Sequence, residues 1–172
     1  GAAPCVLAAR DHMCRRQANV ELVTTALAAL EDCGHTMEDL GRVLVGRGPG
    51  SFTGVRIGIA TAKGLSCGLS KPLHGVSVLD ATAWGAWKAG VRGLLAVADD
   101  AMRGEVYPGI YLLDDDGAQR TFATETVCKA DECVAAWSAR EDAPRLVLTG
   151  NGLKKYRARF EAAGFTNVLD ED

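Results

Sequence analysis

The sequence predicts an α/β protein of two ribonuclease-H-like lobes, each a mixed sheet with flanking helices, the first spanning residues 1–92 and the second residues 93–172. Three observations predict it. From residue 94 three strand-like runs follow one another, two of them joined by an Asp-Gly turn, and then come helix, strand and helix, an order belonging to ribonuclease-H-like lobes. Before residue 92 the later portion of that order recurs as helix, strand, helix, strand and helix, with a single strand ahead of the first helix. Gly90 and Gly93 then mark a hinge or boundary.

The elements follow in order. From Val6 the run VLAAR is short and apolar and is expected to form an edge strand. Asn19 opens a helix that runs to Cys33, with Gly34 as its stop. At 100° per residue Val20, Val23, Leu27 and Leu30, with Leu22, Ala26, Ala29 and Cys33, fill about half of its circumference. A helix on one sheet needs only about 100° of apolar surface, so this arc suits either a second surface, such as another chain, or a groove within its own fold. Thr36 and Asp39 start a short turn, and RVLVG (42–46) reads as a buried strand. Residues 53–69 form a helix that is apolar or small nearly all round and is expected to be buried. A strand at 73–76 precedes a capping-box-like start at Ser77 and Asp80 and a helix carrying Trp84 and Trp87, expected as core. In the second lobe strands are expected at 94–98, 105–113, 120–127 and 145–149, and helices near 131–137 and 152–163.

Composition narrows the function. The 172 residues are 48% hydrophobic and carry a net charge of −3, enough for substantial burial and opposed to a surface that neutralises many phosphates unaided. Six cysteines include no C-x-x-C pair and lie near no histidine cluster, so reduced, mostly buried thiols are expected, with no metal and no cofactor. No apolar run approaches the length that spans a bilayer and no signal peptide is read, so a cytoplasmic protein without membrane contact is expected.

The run of residues 46–68, GRGPGSFTGVRIGIATAKGLSCG, is the most informative. Its first part joins a buried strand to a helix N-terminus, where converging backbone N–H groups can hold an anion. Arg47, Gly48, Gly50, Ser51, Thr53 and Arg56 are the candidates for contact with an anion or a partner. The spacing fits neither a Walker A loop, which ends in Gly-Lys-Ser/Thr, nor the dinucleotide GxGxxG, so a structural turn with a capped helix is the other reading. In the helix that follows, Gly54, Gly58, Gly64 and Gly68 fall within an arc of about 120°, with Thr53 and Thr61 among them. Each interior glycine forgoes up to about 1 kcal/mol of helix stability relative to alanine, which points to a face where another backbone comes close.

These residues resemble the signature of the TsaB (YeaZ) family, and the match continues through PLHGVSVLD (72–80) and DAMRGEVY (100–107). The resemblance implies an actin-like (ASKHA) ATPase-type fold of two ribonuclease-H-like lobes. It also implies a non-catalytic role in forming N6-threonylcarbamoyladenosine on tRNA, as a subunit that dimerises with a catalytic TsaD subunit in a complex with the ATPase TsaE. On this reading the isolated chain is a homodimer, and tRNA is met only through the complex. Pairing through the first two helices assigns partner contact to Val20, Val23, Leu27, Leu30, Gly54, Gly58, Thr61, Gly64 and Gly68. The family pattern opens with a strand of the type LAIDT and its hairpin partner and ends near P.YLR; neither is found here, so a first lobe without its first strands and a shortened second lobe are expected.

Independent catalysis is not expected. His12, His35 and His74 are isolated and lack the H-x-x-x-H spacing of metal-binding relatives. Ser51 lies in GPGSFTG rather than in a G-x-S-x-G elbow, and Asp99, Asp100 and Glu105 read as solvated carboxylates at a strand end. The alternatives are an actin-like-fold nucleotide-binding enzyme, against which the lack of an N-terminal D-x-G-T loop speaks, and a glycoprotease-type hydrolase.

Overall fold

The structure, a computed structural model, describes residues 5–11, 18–123 and 126–169, with the side chains of residues 18–20 and 123 outside that description. The chain divides into two compact units, one of Gly1–Arg47 with Phe52–Val76, the other of Gly48–Ser51 with Ser77–Asp172.

In the first unit, helix α1 (Ala18–Asp32) ends at Gly34, whose φ of 72° suits glycine, with the His35 N–H bonded back to the Leu30 carbonyl at 2.9 Å. A 3₁₀ turn at Met37–Asp39 follows, in which the Asp39 carboxylate accepts from the Thr36 N–H at 2.8 Å. Strand β1 (Val43–Gly46), helix α2 (Phe52–Leu69) and strand β2 (Leu73–Val76) then make a parallel crossover, with Val43 opposite Leu73 and Gly46 opposite Val76. The expectation that α2 is buried all round does not hold. Only Ala62 along it is buried, because among the described residues β1, β2 and α1 cover only part of its circumference. The edge strand expected from Val6 is also absent: residues 5–11 enter no ladder, and Val6 and Leu7 are 81% and 66% exposed.

The second unit has the larger sheet. Strand β3 (Gly93–Met102) pairs antiparallel with β4 (Glu105–Leu113), which pairs with β5 (Ala118–Ala123) and with a short β6 (Cys128–Lys129). On its other side β3 pairs parallel with β7 (Val147–Thr149), and β7 is extended by a parallel bridge from Leu148 to Val168. Of the strand expected over 120–127 the described residues show strand only to Ala123, with 126–127 in no strand and β6 beginning after it at Cys128; residues 124–125 lie outside the description. The expected strand at 145–149 is shorter because Ala143–Arg145 forms a 3₁₀ turn with proline in its first positions. The Asp-Gly turn forms as expected, the Asp114 carboxylate accepting from the Gly117 N–H at 3.1 Å.

This sheet is covered on both faces, so β3 reads as a continuous apolar run and Leu95, Ala96, Val97 and Ala98 are each fully buried. Alternation divides them. Ala96 and Ala98 join Val106, Ile110 and Leu148 under helices α4 (Ala130–Ser138) and α5 (Leu153–Ala162), around Trp137 and Phe160, whose rings stand 5.6 Å apart. Leu95 and Val97 join Tyr111 and Leu113 under helix α3 (Val78–Lys88) through Leu79 and Ala83. Helix α3, grouped with the first lobe by a division at residue 92, therefore packs on the second unit's sheet.

Local expectations at α3 need correction. Ser77 is the N-cap residue, but its side chain makes no capping bond, and Asp80 does not reach back to it. The Asp80 carboxylate instead accepts from the Tyr111 hydroxyl at 2.9 Å and from the Arg120 guanidinium. Burial first, and then the bond to Asp80, push the Tyr111 hydroxyl well above its usual range. Trp87 donates its indole N–H to the Asp114 carbonyl at 2.6 Å, whereas Trp84, expected as core, is 44% exposed and lies across Gly117.

The carboxylates at the end of β3 are structural, not solvated. Asp99 is buried and accepts from the Asn151 N–H at 3.2 Å, and Asn151 accepts in return from the Asp100 N–H at 2.7 Å. Asp100 also accepts from the Met102 N–H at 3.0 Å and the Tyr156 hydroxyl at 3.2 Å, and pairs with Lys155. Glu105 pairs with Lys129 at 2.6 Å. Gly152 makes this join possible: its N–H donates to the Ala98 carbonyl at 2.9 Å, and a Cβ there would stand 2.6 Å from that oxygen.

Cysteines differ from expectation as well. Among the described ones Cys133 alone is buried, Cys33 and Cys128 are half-buried, and Cys5 and Cys67 are exposed; Cys14 lies outside the description. Burial pushes the Cys133 and Cys128 thiols above their usual range, which keeps them inert.

Phe160→Ala is expected to cost about 3–5 kcal/mol, because it removes the fully buried ring that packs on both Trp137 and Phe165. Urea unfolding followed by tryptophan fluorescence measures it. Asp100 tests the join between β3 and α5. Desolvation opposes its ionisation, but the bonds from Lys155 and the Met102 N–H together hold its carboxyl below the usual range. A carboxyl lowered on folding contributes stability above its unfolded pKa, near 3.9, and loses it as pH falls through the folded value. Asp100→Asn should therefore lower the urea midpoint at pH 7, and the difference from wild type should shrink steadily on acidification below pH 4; a difference independent of pH rules this origin out.

Candidate partner surface and signature loop

The run of residues 46–68 occupies a turn and a helix, and its side chains serve two different surfaces. At the turn, the Arg47 N–H donates to the Val76 carbonyl at 2.9 Å, closing the parallel pair of β1 and β2. The aliphatic stem of Arg47 crosses Gly75, where an added Cβ would meet Arg47 Cδ at 3.3 Å. Gly48 is buried with φ at 100°, and its carbonyl accepts from the Val78 N–H at 2.9 Å, so this part of the loop is a strut at the head of α3. Gly50, Ser51 and Thr53 are exposed.

Arg56 does not extend freely from α2. Its guanidinium lies 3.7 Å from the centre of the Phe52 ring one turn earlier, while Phe52 itself is 70% exposed. An aromatic ring and a cation are thus presented together at the start of α2, on the outside of the first unit.

Along α2 the glycine arc straddles the margin between buried and exposed sides. Gly58 and Thr61 are half-buried, and a Cβ on Gly58 would make an ordinary 3.7 Å contact with Val45 of β1. Gly54, Gly64 and Gly68 are exposed, and an added Cβ at Gly64 or Gly68 meets nothing within 4 Å. The six positions are therefore not one surface: Gly58 and Thr61 turn inward and the others outward. Sequence reasoning missed the centre of the outward side, where Thr53, Ala60 and Cys67 recur every seven residues, all exposed and all small. The seven-residue spacing was available as a signal, but the glycines drew the arc about 100° away from it.

Helix α1 packs on α2 and leaves part of its apolar arc uncovered. Leu22 and Leu27 are 38% and 40% exposed, while Val23 and Leu30 are half-buried; the Val20 side chain lies outside the description. The first unit thus presents exposed leucines on one helix and exposed small residues on the next, with Ala62 its one buried apolar side chain among the described residues. No helix among the described residues is long and apolar enough to cross a membrane.

The family model described as "TsaD: tRNA N6-adenosine threonylcarbamoyltransferase" matches residues 9–158. The chain is 38% identical over 123 residues, 72% of its length, to the tRNA threonylcarbamoyladenosine biosynthesis protein TsaB of Escherichia coli, and spans 53% of that relative. It is 30% identical over 144 residues to the protein of the same name from Buchnera aphidicola, covering 84% of this chain and 68% of that one. The chain thus spans between about half and two thirds of these relatives. Among solved structures, an uncharacterized protein with similarity to peptidase YeaZ from Pseudomonas aeruginosa superposes with a TM-score of 0.72 at 29% identity, over 92% of this chain and 70% of that one. The fold is therefore the actin-like one built from ribonuclease-H-like lobes. With its signature run placed in a turn and an outward-facing helix, and with a relative matched over two thirds of that relative's length, the chain belongs to the TsaB (YeaZ) family.

Proposed function

We propose that this protein is a non-catalytic partner subunit in the formation of N6-threonylcarbamoyladenosine on tRNA. It pairs through α1 and α2 with a TsaD-like catalytic subunit, in a complex that includes a TsaE-like ATPase, and with a second copy of itself when alone. The observation that carries this reading is the outward side of α2, where Thr53, Ala60, Gly64, Cys67 and Gly68 keep side-chain bulk low, together with the exposed Leu22 and Leu27 that α1 contributes to the same unit. Small residues let two helix backbones approach closely, and exposed leucines supply the apolar area that an interface core needs. The chemistry-bearing groups fit an architectural role: Asp99, Asp100 and Glu105 are each engaged in bonds that hold β3, β4 and their neighbours together. A net charge of −3 fits tRNA contact made through the complex rather than by this chain.

Co-purification with the cognate TsaD, followed by a tRNA modification assay with and without this chain, tests the role. Full modification by TsaD and TsaE alone overturns it. Gly64→Leu tests the surface. With open space at that position and a better helix former in place of glycine, the chain's own stability should stay level or rise by up to about 1 kcal/mol, while affinity for the partner falls at least tenfold. Gly58→Leu, directed at Val45, should instead lower stability. Isothermal titration and urea unfolding separate the two effects, and unchanged affinity in Gly64→Leu removes α2 from the interface.

A further inference from the structure

Charge is distributed unevenly over the two helices that the proposed pairing uses. Helix α2 carries two charged side chains, Arg56 and Lys63, both cations, and no acidic residue in its 18 positions. Spaced seven residues apart, they lie within about 20° of each other around the helix and about 10 Å apart along it, so they form one row. Both are exposed, and among the described residues no carboxylate pairs with either of them. The row borders the outward surface of Thr53, Ala60, Gly64 and Cys67 and stands about 100° or more from the buried Ala62.

Phe52, one turn before Arg56, belongs to the same row and steadies it. The guanidinium carbon of Arg56 lies 3.7 Å from the centre of the ring, a contact that limits the rotamers of a long side chain before any partner arrives. Its N–H donors have no described acceptor. The row therefore presents two positive charges at a fixed spacing, one of them held in place, beside a surface of low side-chain bulk.

We propose that Arg56 and Lys63 determine which partner the α2 surface accepts, and that the occupant is an α-helix of a different chain carrying two carboxylates seven residues apart. The inference rests on pairing through α1 and α2. At the flanks of paired helices, opposite charges attract across the seam and like charges repel, so flanking charges select partner and register. A second copy offers no match. Its α2 has no carboxylate, and in an antiparallel pair of two α2 helices the two-fold rotation sets Arg56 of one copy beside Lys63 of the other. On its α1, Asp32 is engaged by Arg10 at 2.7 Å, while Glu21 and Glu31 stand about 15 Å apart along the helix and about 80° apart around it, on different rows. Self-pairing forgoes these ion pairs, and an acidic helix of another chain gains them. An RNA backbone needs no small-residue surface beside its cations, and two phosphate contacts alone bind weakly.

The test titrates the cognate TsaD-like subunit into the whole chain by calorimetry at about 0.05 M and about 0.5 M salt. Arg56→Glu combined with Lys63→Glu should weaken binding at least tenfold at the lower salt and less than threefold at the higher. Both positions are exposed, so the urea midpoint of the chain should stay close to wild type. Lys63→Arg keeps the charge and should bind within threefold of wild type at both salts. An affinity of the doubly reversed chain equal to wild type at the lower salt, or a loss that salt does not reduce, overturns the proposal. Gly64→Leu separates that result from failure of the pairing itself. Weak binding by Gly64→Leu beside unchanged binding by the reversed chain removes the charge row and leaves the α2 interface standing, whereas no change in either removes α2 from the interface and the row with it. Loss of tRNA binding by the assembled complex, with affinity for the TsaD-like subunit intact, assigns the row to RNA and overturns the proposal as well.

Discussion

The extent of each sheet governs what each unit can bury. Strand β3 lies inside a sheet covered by α3 on one face and by α4 and α5 on the other, so consecutive residues from Leu95 to Ala98 are all removed from water. Two parallel strands offer no comparable interior. Strands β1 and β2 cover one side of α2, and the leucines of α1, the small outward residues of α2 and Leu44 at 61% exposure stay at the surface of the first unit. Exposed apolar side chains are lowered in free energy by association, which is the ground for the proposed pairing through α1 and α2.

The second unit supplies the rigidity. Its carboxylates are drawn into the joins between elements: Asp99 to the Asn151 N–H, Asp100 to Lys155 and Tyr156, Asp80 to Tyr111 and Arg120. Buried or half-buried acceptors with several donors each hold neighbouring elements at fixed distance, and leaving any one of them unpaired would cost its full desolvation. Gly150 and Gly152 permit the same join, because a side chain at either would run into the Ala98 carbonyl.

Much of the architecture was legible in the residues. The order of strands and helices, the stop at Gly34, the Asp-Gly turn and the two central helices of the first unit follow from period, capping and turn chemistry, all of which act over a few residues. The candidate site was legible only in part. Four glycines on one arc of α2 marked the helix as unusual, but the arc did not say which members meet Val45 and which meet open space. That distinction depends on where β1 lies. The same limit explains the missed capping at Ser77, since Asp80 is claimed by Tyr111 and Arg120, 31 and 40 residues away.

Alone, then, the sequence determined the elements, their order, the signature that places the chain in its family and the groups available for chemistry. Tertiary structure decided which of those groups are engaged: that among the described residues β1 pairs only with β2, that α2 is open on its outer side, and that the acidic residues at the end of β3 are bonded rather than solvated. Local interactions are written in neighbouring residues. Burial, edge pairing and the choice of partner for a carboxylate depend on segments distant in the chain, and only their packing in three dimensions settles them.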